Sequence, residues 1–171
     1  FGSSTGLEAL TLAQKYFEKS VIVGVDVDEV TLSQARSTCA NVSSRVFMFN
    51  GEKTALGALG LYDVIFANSV SCRHPWDPRP ENVYQFSLFA QTIATLSEVL
   101  RPNGILCIIN PNYRIEDTAA WLTHHYVQEN VVDCGNFVRL FDRNGTTLPR
   151  RDLCVYRKTS RSHSHGTRGR R

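Results

Sequence analysis

Methionine is almost missing from this 171-residue chain: Met48 stands alone, and the chain opens on Phe1. Together these lead to the expectation of a fragment or a processed form. No apolar run approaches 18 residues, which excludes a membrane-spanning helix. No short basic segment precedes a small-residue cleavage site, so neither end reads as a signal peptide. The five cysteines (Cys39, Cys72, Cys107, Cys134 and Cys154) are odd in number and widely spaced, and none forms a C-x-x-C pair. That pattern argues for reduced thiols in an intracellular, cytoplasmic setting, and against a disulfide framework or a zinc knuckle. No metal site is expected.

Acidic residues are also missing from the end of the chain. From Arg157 onward there are six Lys and Arg and no Asp or Glu, which leaves 13 basic against all 16 acidic side chains in residues 1 to 156. The body is mildly acidic and the tail basic, whereas a nucleic-acid protein more often spreads positive charge over its folded surface. Nucleic acid is therefore not the expected partner. Residues 159–171 lack apolar side chains and are rich in Ser, His, Gly and Arg, which predicts a disordered tail; a docking arm for RNA or acidic lipid is the alternative. Residues 1–158, in a chain 42 % apolar, suffice for one domain with a sizeable core.

Strand-like and helix-like segments alternate along that domain. Thr5-Gly6-Leu7-Glu8 fits a capping box, with Thr5 as N-cap and Glu8 reaching back, and Leu7, Leu10, Ala13 and Phe17 continue at helical spacing. Val21 to Val25 is a β-branched run, as in a strand covered on both faces. Asp28 is placed to cap a second helix carrying Leu32, Ala35 and Cys39 on one side. Val46–Phe49 and Val64–Ala67 read as further buried strands. From Val83 to Leu100, Phe86, Phe89, Ile93, Leu96 and Leu100 form a helical apolar stripe, which Arg101-Pro102-Asn103-Gly104 ends. Ile105–Ile109 is a fourth strand. A helix over Ile115 to Tyr126 and two strands, Phe137–Phe141 and Leu153–Tyr156, complete the pattern. Alternation of this kind means a parallel sheet with helices on both faces, whose ligands sit at the carboxyl ends of the strands.

Several loops at those ends carry chemistry. Gly2-Ser3-Ser4-Thr5-Gly6 opens the first helix, where glycines let backbone approach a ligand. It fails the dinucleotide pattern G-x-G-x-x-G twice, at Ser4 and Leu7, and a tight turn before a helix is the plainer reading of it alone. Asp26 ends the second element, where a carboxylate can accept both hydroxyls of a ribose. Asp28 is better placed than Asp26 to cap the next helix. Asn50-Gly51-Glu52 ends the next strand, as a plain turn or a reader of an adenine edge.

Taken together, these residues resemble the class I S-adenosylmethionine-dependent methyltransferase family over nearly the whole chain before the tail. F-G-S-S-T-G is similar to its glycine-rich first motif and G-V-D-V-D to its acidic second. F-N-G-E resembles the third motif, Y-D-V-I-F-A-N-S the fourth, and L-R-P-N-G-I-L the turn usually written L-x-P-G-G. The resemblance implies a Rossmann-like, doubly wound α/β fold. Its mostly parallel seven-stranded sheet has the order 3-2-1-4-5-7-6, with the last strand antiparallel. It implies S-adenosylmethionine as cofactor, with Gly2, Ser3, Ser4, Thr5 and Gly6 around its methionine part. Asp26 would then bind the ribose, Val27, Gly51 and Glu52 would flank the adenine, and Asn68 would lie beside the methionine end. Ser4 departs from the family by replacing the middle glycine, and Asn103 by replacing the first glycine of the later pair. The family's central first strand would precede Phe1, and a chain lacking it is expected to be poorly stable, because its neighbours lose their backbone partners.

The implied activity is methyl transfer by in-line displacement to a small-molecule acceptor. Because the cofactor carries the reactive group, the protein mainly aligns the acceptor, and no obligatory catalytic residue can be read off. The acceptor side is expected from Cys72, Arg73, Trp76 and Tyr113, with His74 as candidate base, although a lone histidine in a loop is more often simply solvated. His124 and His125 are adjacent on a predicted helix and cannot share a metal as an i, i+4 pair would. Asn110-Pro111-Asn112-Tyr113 looks like the N-P-P-Y motif of amide and adenine methyltransferases. It follows the wrong strand and lacks a proline, so the match is read as accidental. Two rival readings remain: a nicotinamide-dependent oxidoreductase, and a non-catalytic methyltransferase-like binding module.

Overall fold

The computed structural model describes residues 1–72, 84–129, 138–149 and 154–160. Its strands are β1 (Ile22–Asp26), β2 (Val46–Asn50), β3 (Tyr62–Asn68), β4 (Leu100–Ile109), β5 (Tyr126–Gln128), β6 (Leu140–Phe141), β7 (Thr147–Leu148) and β8 (Val155–Lys158). The helices are α1 (Leu7–Thr11), α2 (Glu29–Thr38), α3 (Phe86–Val99) and α4 (Ala119–His124). Strands β1 and β2 pair in parallel, as do β3 and β4. β8 runs antiparallel between β4 and β5, so the second sheet has the order β3-β4-β8-β5 and the fold is α/β with a mixed sheet.

Most elements form where local chemistry dictates. Asp28 caps α2 by accepting a hydrogen bond from Thr31 N at 2.8 Å, and the Thr31 hydroxyl first, with that N–H second, holds its carboxyl below the usual range. On α2, Leu32 and Ala35 are buried with Ala9, Ala13, Cys39, Val46 and Met48, forming a core against β1 and β2. The stripe of α3 puts Phe89, Ile93 and Leu96 into a second core with Ile65, Leu106 and Ile108. Burying each such side chain contributes roughly 1.5–3 kcal/mol. At Arg101–Gly104 the β3–β4 register jumps, and Asn103 takes the left-handed conformation (φ 64°) that the turn requires.

Three expectations from the sequence fail locally. No capping box forms at Thr5: Gly6 is the N-cap of α1 with no side-chain bond, because Glu8 is drawn instead to Asn68. The helix expected over Ile115–Tyr126 is a 3-10 turn, Ile115–Asp117, followed by α4. Thr118 breaks it by capping α4, and Tyr126 leaves to pair with Lys158. The thiols also differ. Cys39, Cys72 and Cys107 are free, but Cys154 is disulfide-bonded, its partner lying outside the described residues. Wide spacing in sequence excludes a C-x-x-C motif but not a bridge between segments that folding brings together. No helix among the described residues is long and apolar enough to cross a membrane.

Thr159 N and Oγ1 both donate to His125 O. Just before it, Lys158 closes α3 from another strand: its Nζ donates to Ser97 O (2.6 Å) and Leu100 O (2.7 Å). A charged donor on otherwise unsatisfied helix carbonyls contributes about 2 kcal/mol. Lys158→Met is therefore expected to lower the unfolding free energy by about that amount, seen as a lower urea midpoint. An unchanged midpoint would mean that water serves these carbonyls equally well.

Candidate functional site

The carboxyl ends of β1, β2 and β3 and the loop Gly2–Gly6 are joined by hydrogen bonds into one surface. The loop enters between β1 and β3: the Phe1 ammonium donates to Phe66 O (2.8 Å), and Gly2 N and Ser3 N both donate to Val25 O. Burial pushes that ammonium's pKa down, against an opposing pull from Glu8 and Asp26. Gly6 has φ 84°, and a Cβ there would lie 2.9 Å from Ala35 Cα, so only glycine lets α2 pack this closely. Ser4 sits at φ 45°, also in the left-handed region, which explains why the related motif carries glycine at this position.

Asp26 closes the loop. Its Oδ2 accepts from Ser4 N (2.9 Å), while Oδ1 accepts from Val27 N (2.8 Å) and Asp28 N (3.3 Å). The carboxylate thus has a structural task as a clasp, one that sequence spacing does not reveal. It keeps acceptor capacity on Oδ2 and is half-buried, so hydroxyl donors can still reach it. Beside it Val27 and Val30 are left 59 % and 78 % exposed, apolar surface next to an acceptor. Val30 carries no signal in the sequence beyond its place in the first turn of α2.

The turn after β2 is fastened by Asn50, which is 7 % exposed. Its Nδ2 donates to Val27 O and Glu29 Oε1 (both 3.1 Å), and its Oδ1 accepts from Glu52 N (2.9 Å) and Lys53 N (3.3 Å). Gly51 N donates to Asp26 O at 2.9 Å. Asn50 is therefore the side chain that sets Gly51 and Glu52 opposite Val27. Glu29 is held in turn by Lys53, whose hydrogen bond keeps its carboxyl below the usual range. The sequence marks Asn50 only as part of a turn or an adenine-edge reader; its fastening task, and that of Glu29, stay hidden because their partners lie about twenty residues away.

At the end of β3, Asn68 donates from Nδ2 to Glu8 Oε1, and its Oδ1 is buried without a partner. Next to it Ser69 and Asn110 both have φ 56°, and Asn110 Nδ2 donates to Ser69 Oγ (3.0 Å), tying the ends of β3 and β4. Cys72 is half-buried, and burial pushes its thiol pKa up, which keeps it neutral rather than nucleophilic. Tyr113 differs from its expected place. It is 7 % exposed and packs on Phe86, Phe89 and Phe141, with ring centroids 5.3 to 6.4 Å away, so it belongs to the core rather than an open pocket. Arg73, His74 and Trp76 lie outside the described residues. Among the described residues no group of three His, Cys, Asp or Glu side chains could hold a metal ion.

A cavity of about 620 Å³ opens away from Asp26, between β1 and β3. Val25 O and Phe66 O accept from the loop, so strand alternation turns the backbone of Val21, Val23 and Val25 toward Tyr62, Val64 and Phe66. Among the described residues β1 pairs only with β2 and β3 only with β4, which leaves two facing strand edges. Such walls suit an extended backbone. The ligand chemistry lies at the strand ends, where the convergent side chains are.

Residues 1–147 match the sequence profile of a family described as a methyltransferase domain. No curated protein sequence matches the chain. Among solved structures, the chain is similar to a methyltransferase from Pyrococcus furiosus (17 % identity, TM-score 0.58, covering 93 % of this chain and 73 % of that one). It is also similar to "StiE O-MT residues 961-1257" (13 % identity, TM-score 0.60, 95 % and 67 % covered). PKMT2 from Rickettsia typhi matches at 21 % identity and TM-score 0.49 over 68 % of this chain, which spans only 22 % of that protein's length. At these identities the likeness is one of fold.

Proposed function

Because the chain belongs to the methyltransferase domain family, we propose that it binds S-adenosylmethionine at the ends of β1–β3 and passes the methyl group to a small-molecule acceptor. The observation that carries this reading is the bond from Ser4 N to Asp26 Oδ2, which makes the glycine loop and the carboxylate a single receptor. The residues present fit the cofactor on two counts: an open acceptor site on Asp26, and the orphaned Oδ1 of Asn68. When bound, the sulfonium supplies the methyl group for an in-line displacement. Asp26 accepts the ribose hydroxyls, Val27 and Val30 cover the base, and Gly51 and Glu52 border its edge. Gly2–Gly6 line the methionine part, with Asn68 as an acceptor there. The chain's contribution is to hold and orient; its acceptor side lies beyond Ser69 and Cys72, at the ends of β3 and β4.

We also propose that a further parallel strand fills the slot between β1 and β3, giving the seven-stranded order. Its support is the pair of facing strand edges and the direction in which Phe1–Ser3 leave the slot.

Isothermal titration with S-adenosylhomocysteine and with NAD tests the function. Binding of the first at least about 100-fold tighter, a difference of about 2.7 kcal/mol, is the expected outcome. Preference for NAD would support an oxidoreductase, and a folded whole protein that binds neither would support a non-catalytic module.

A further inference from the structure

We infer that Glu8 is a positioning residue for the α-ammonium group of the cofactor, a task that neither the glycine motif nor the acidic motif assigns to it; this rests on the cofactor reading above. Glu8 stands in the first turn of α1, 60 positions before Asn68, yet its carboxylate receives the Asn68 side-chain N–H. A carboxylate only accepts, so the contact fixes which end of the amide is NH₂ and which is oxygen. Asn68 Oδ1 must therefore point away from Glu8, and there it is buried with no donor. An orphaned buried acceptor is costly, and a donor arriving with a ligand removes that cost.

The donor should be cationic. Glu8 leaves lone pairs free beside Asn68, and the two together present acceptors and one negative charge. The same charge reaches Cys107, whose thiol is pushed up to about 11, mainly by burial and further by Glu8. In this arrangement Glu8 acts twice, by orienting the Asn68 amide and by favouring a charged amino group over a neutral one.

The test compares S-adenosylhomocysteine, which carries the α-ammonium, with 5′-methylthioadenosine, which keeps the nucleoside and sulfur but has no amino-acid group. The full chain and its Glu8→Gln and Glu8→Ala variants are titrated with both, and each variant's melting temperature is recorded. Glu8 is exposed, so the melts should match the parent. The expected result is S-adenosylhomocysteine binding weakened about tenfold in Glu8→Gln and more in Glu8→Ala, with 5′-methylthioadenosine held within about twofold in both. A merely structural role would move both ligands together. Equal losses for the two, or no loss for either, overturn the inference. Failure of the parent protein to bind either nucleoside overturns the cofactor reading beneath it.

Discussion

Asp26→Ala is expected to weaken S-adenosylhomocysteine binding about 100-fold, or roughly 2.7 kcal/mol. Two losses add. Ribose hydroxyls donating to a carboxylate form charge-assisted bonds worth about 1.5–3 kcal/mol, and alanine offers no acceptor. The same change frees Ser4 N, Val27 N and Asp28 N, so the loop loses its clasp at Ser4 and is held to β1 only through Gly2 N and Ser3 N on Val25 O. Asp26→Asn should fall nearly as far. Its single oxygen can serve either the Val27 and Asp28 amides or Ser4, and the amide N–H then opposes a second N–H. Because Asp26 is half-exposed, the melting temperature should change little. Titration with an unchanged dissociation constant in Asp26→Ala would remove the carboxylate from the site.

Gly6→Ala should have the largest effect on stability, about 3 kcal/mol or more. A side chain at φ 84° costs about 1–2 kcal/mol in backbone strain. The added Cβ would also stand 2.9 Å from Ala35 Cα and 3.0 Å from Ala35 O, so α2 must move, at a further cost of about 1–3 kcal/mol. Gly145 separates the two terms. It has φ 85° but no heavy atom within 4 Å of a built Cβ, so Gly145→Ala carries the strain alone. Urea unfolding should show a loss of about 1 kcal/mol at Gly145 and at least about three times that at Gly6. Gly6→Ala should also lose cofactor binding, since α2 carries Glu29 and Val30. Equal losses at the two glycines would mean that α2 does not press on the loop.

What the sequence makes legible is what is decided within a few residues. Asp28 and Thr31 are three apart, and the cap they form is where the pattern puts it. The α3 stripe repeats every three to four residues and is buried where the repeat predicts. Strand runs from Ile22 to Asp26 and Val46 to Asn50 are equally local. The failures share the opposite property. Glu8 abandons its cap for a partner 60 residues on, Tyr126 leaves a helix to join β8, and Lys158 closes a helix that ends 59 residues earlier. Asp26 looked free of structural duty because its partner, Ser4, comes 22 residues before it. The place of Tyr113 at a strand end suggests an open pocket, but the ring turns inward onto Phe86 and Phe89. Of the site, the motif residues could be found from type and spacing; the tasks of Asn50, Val30 and Glu8 could not, because those tasks exist only once β1, β2 and β3 stand side by side.

The most direct measurement is a crystal structure of the full chain with S-adenosylhomocysteine. Both ribose hydroxyls should lie within hydrogen-bond distance of the Asp26 carboxylate, with the amino-acid end against Gly2–Gly6 and its ammonium on Asn68 Oδ1. A nucleoside bound elsewhere, with Asp26 still occupied only by Ser4, Val27 and Asp28, would contradict the account.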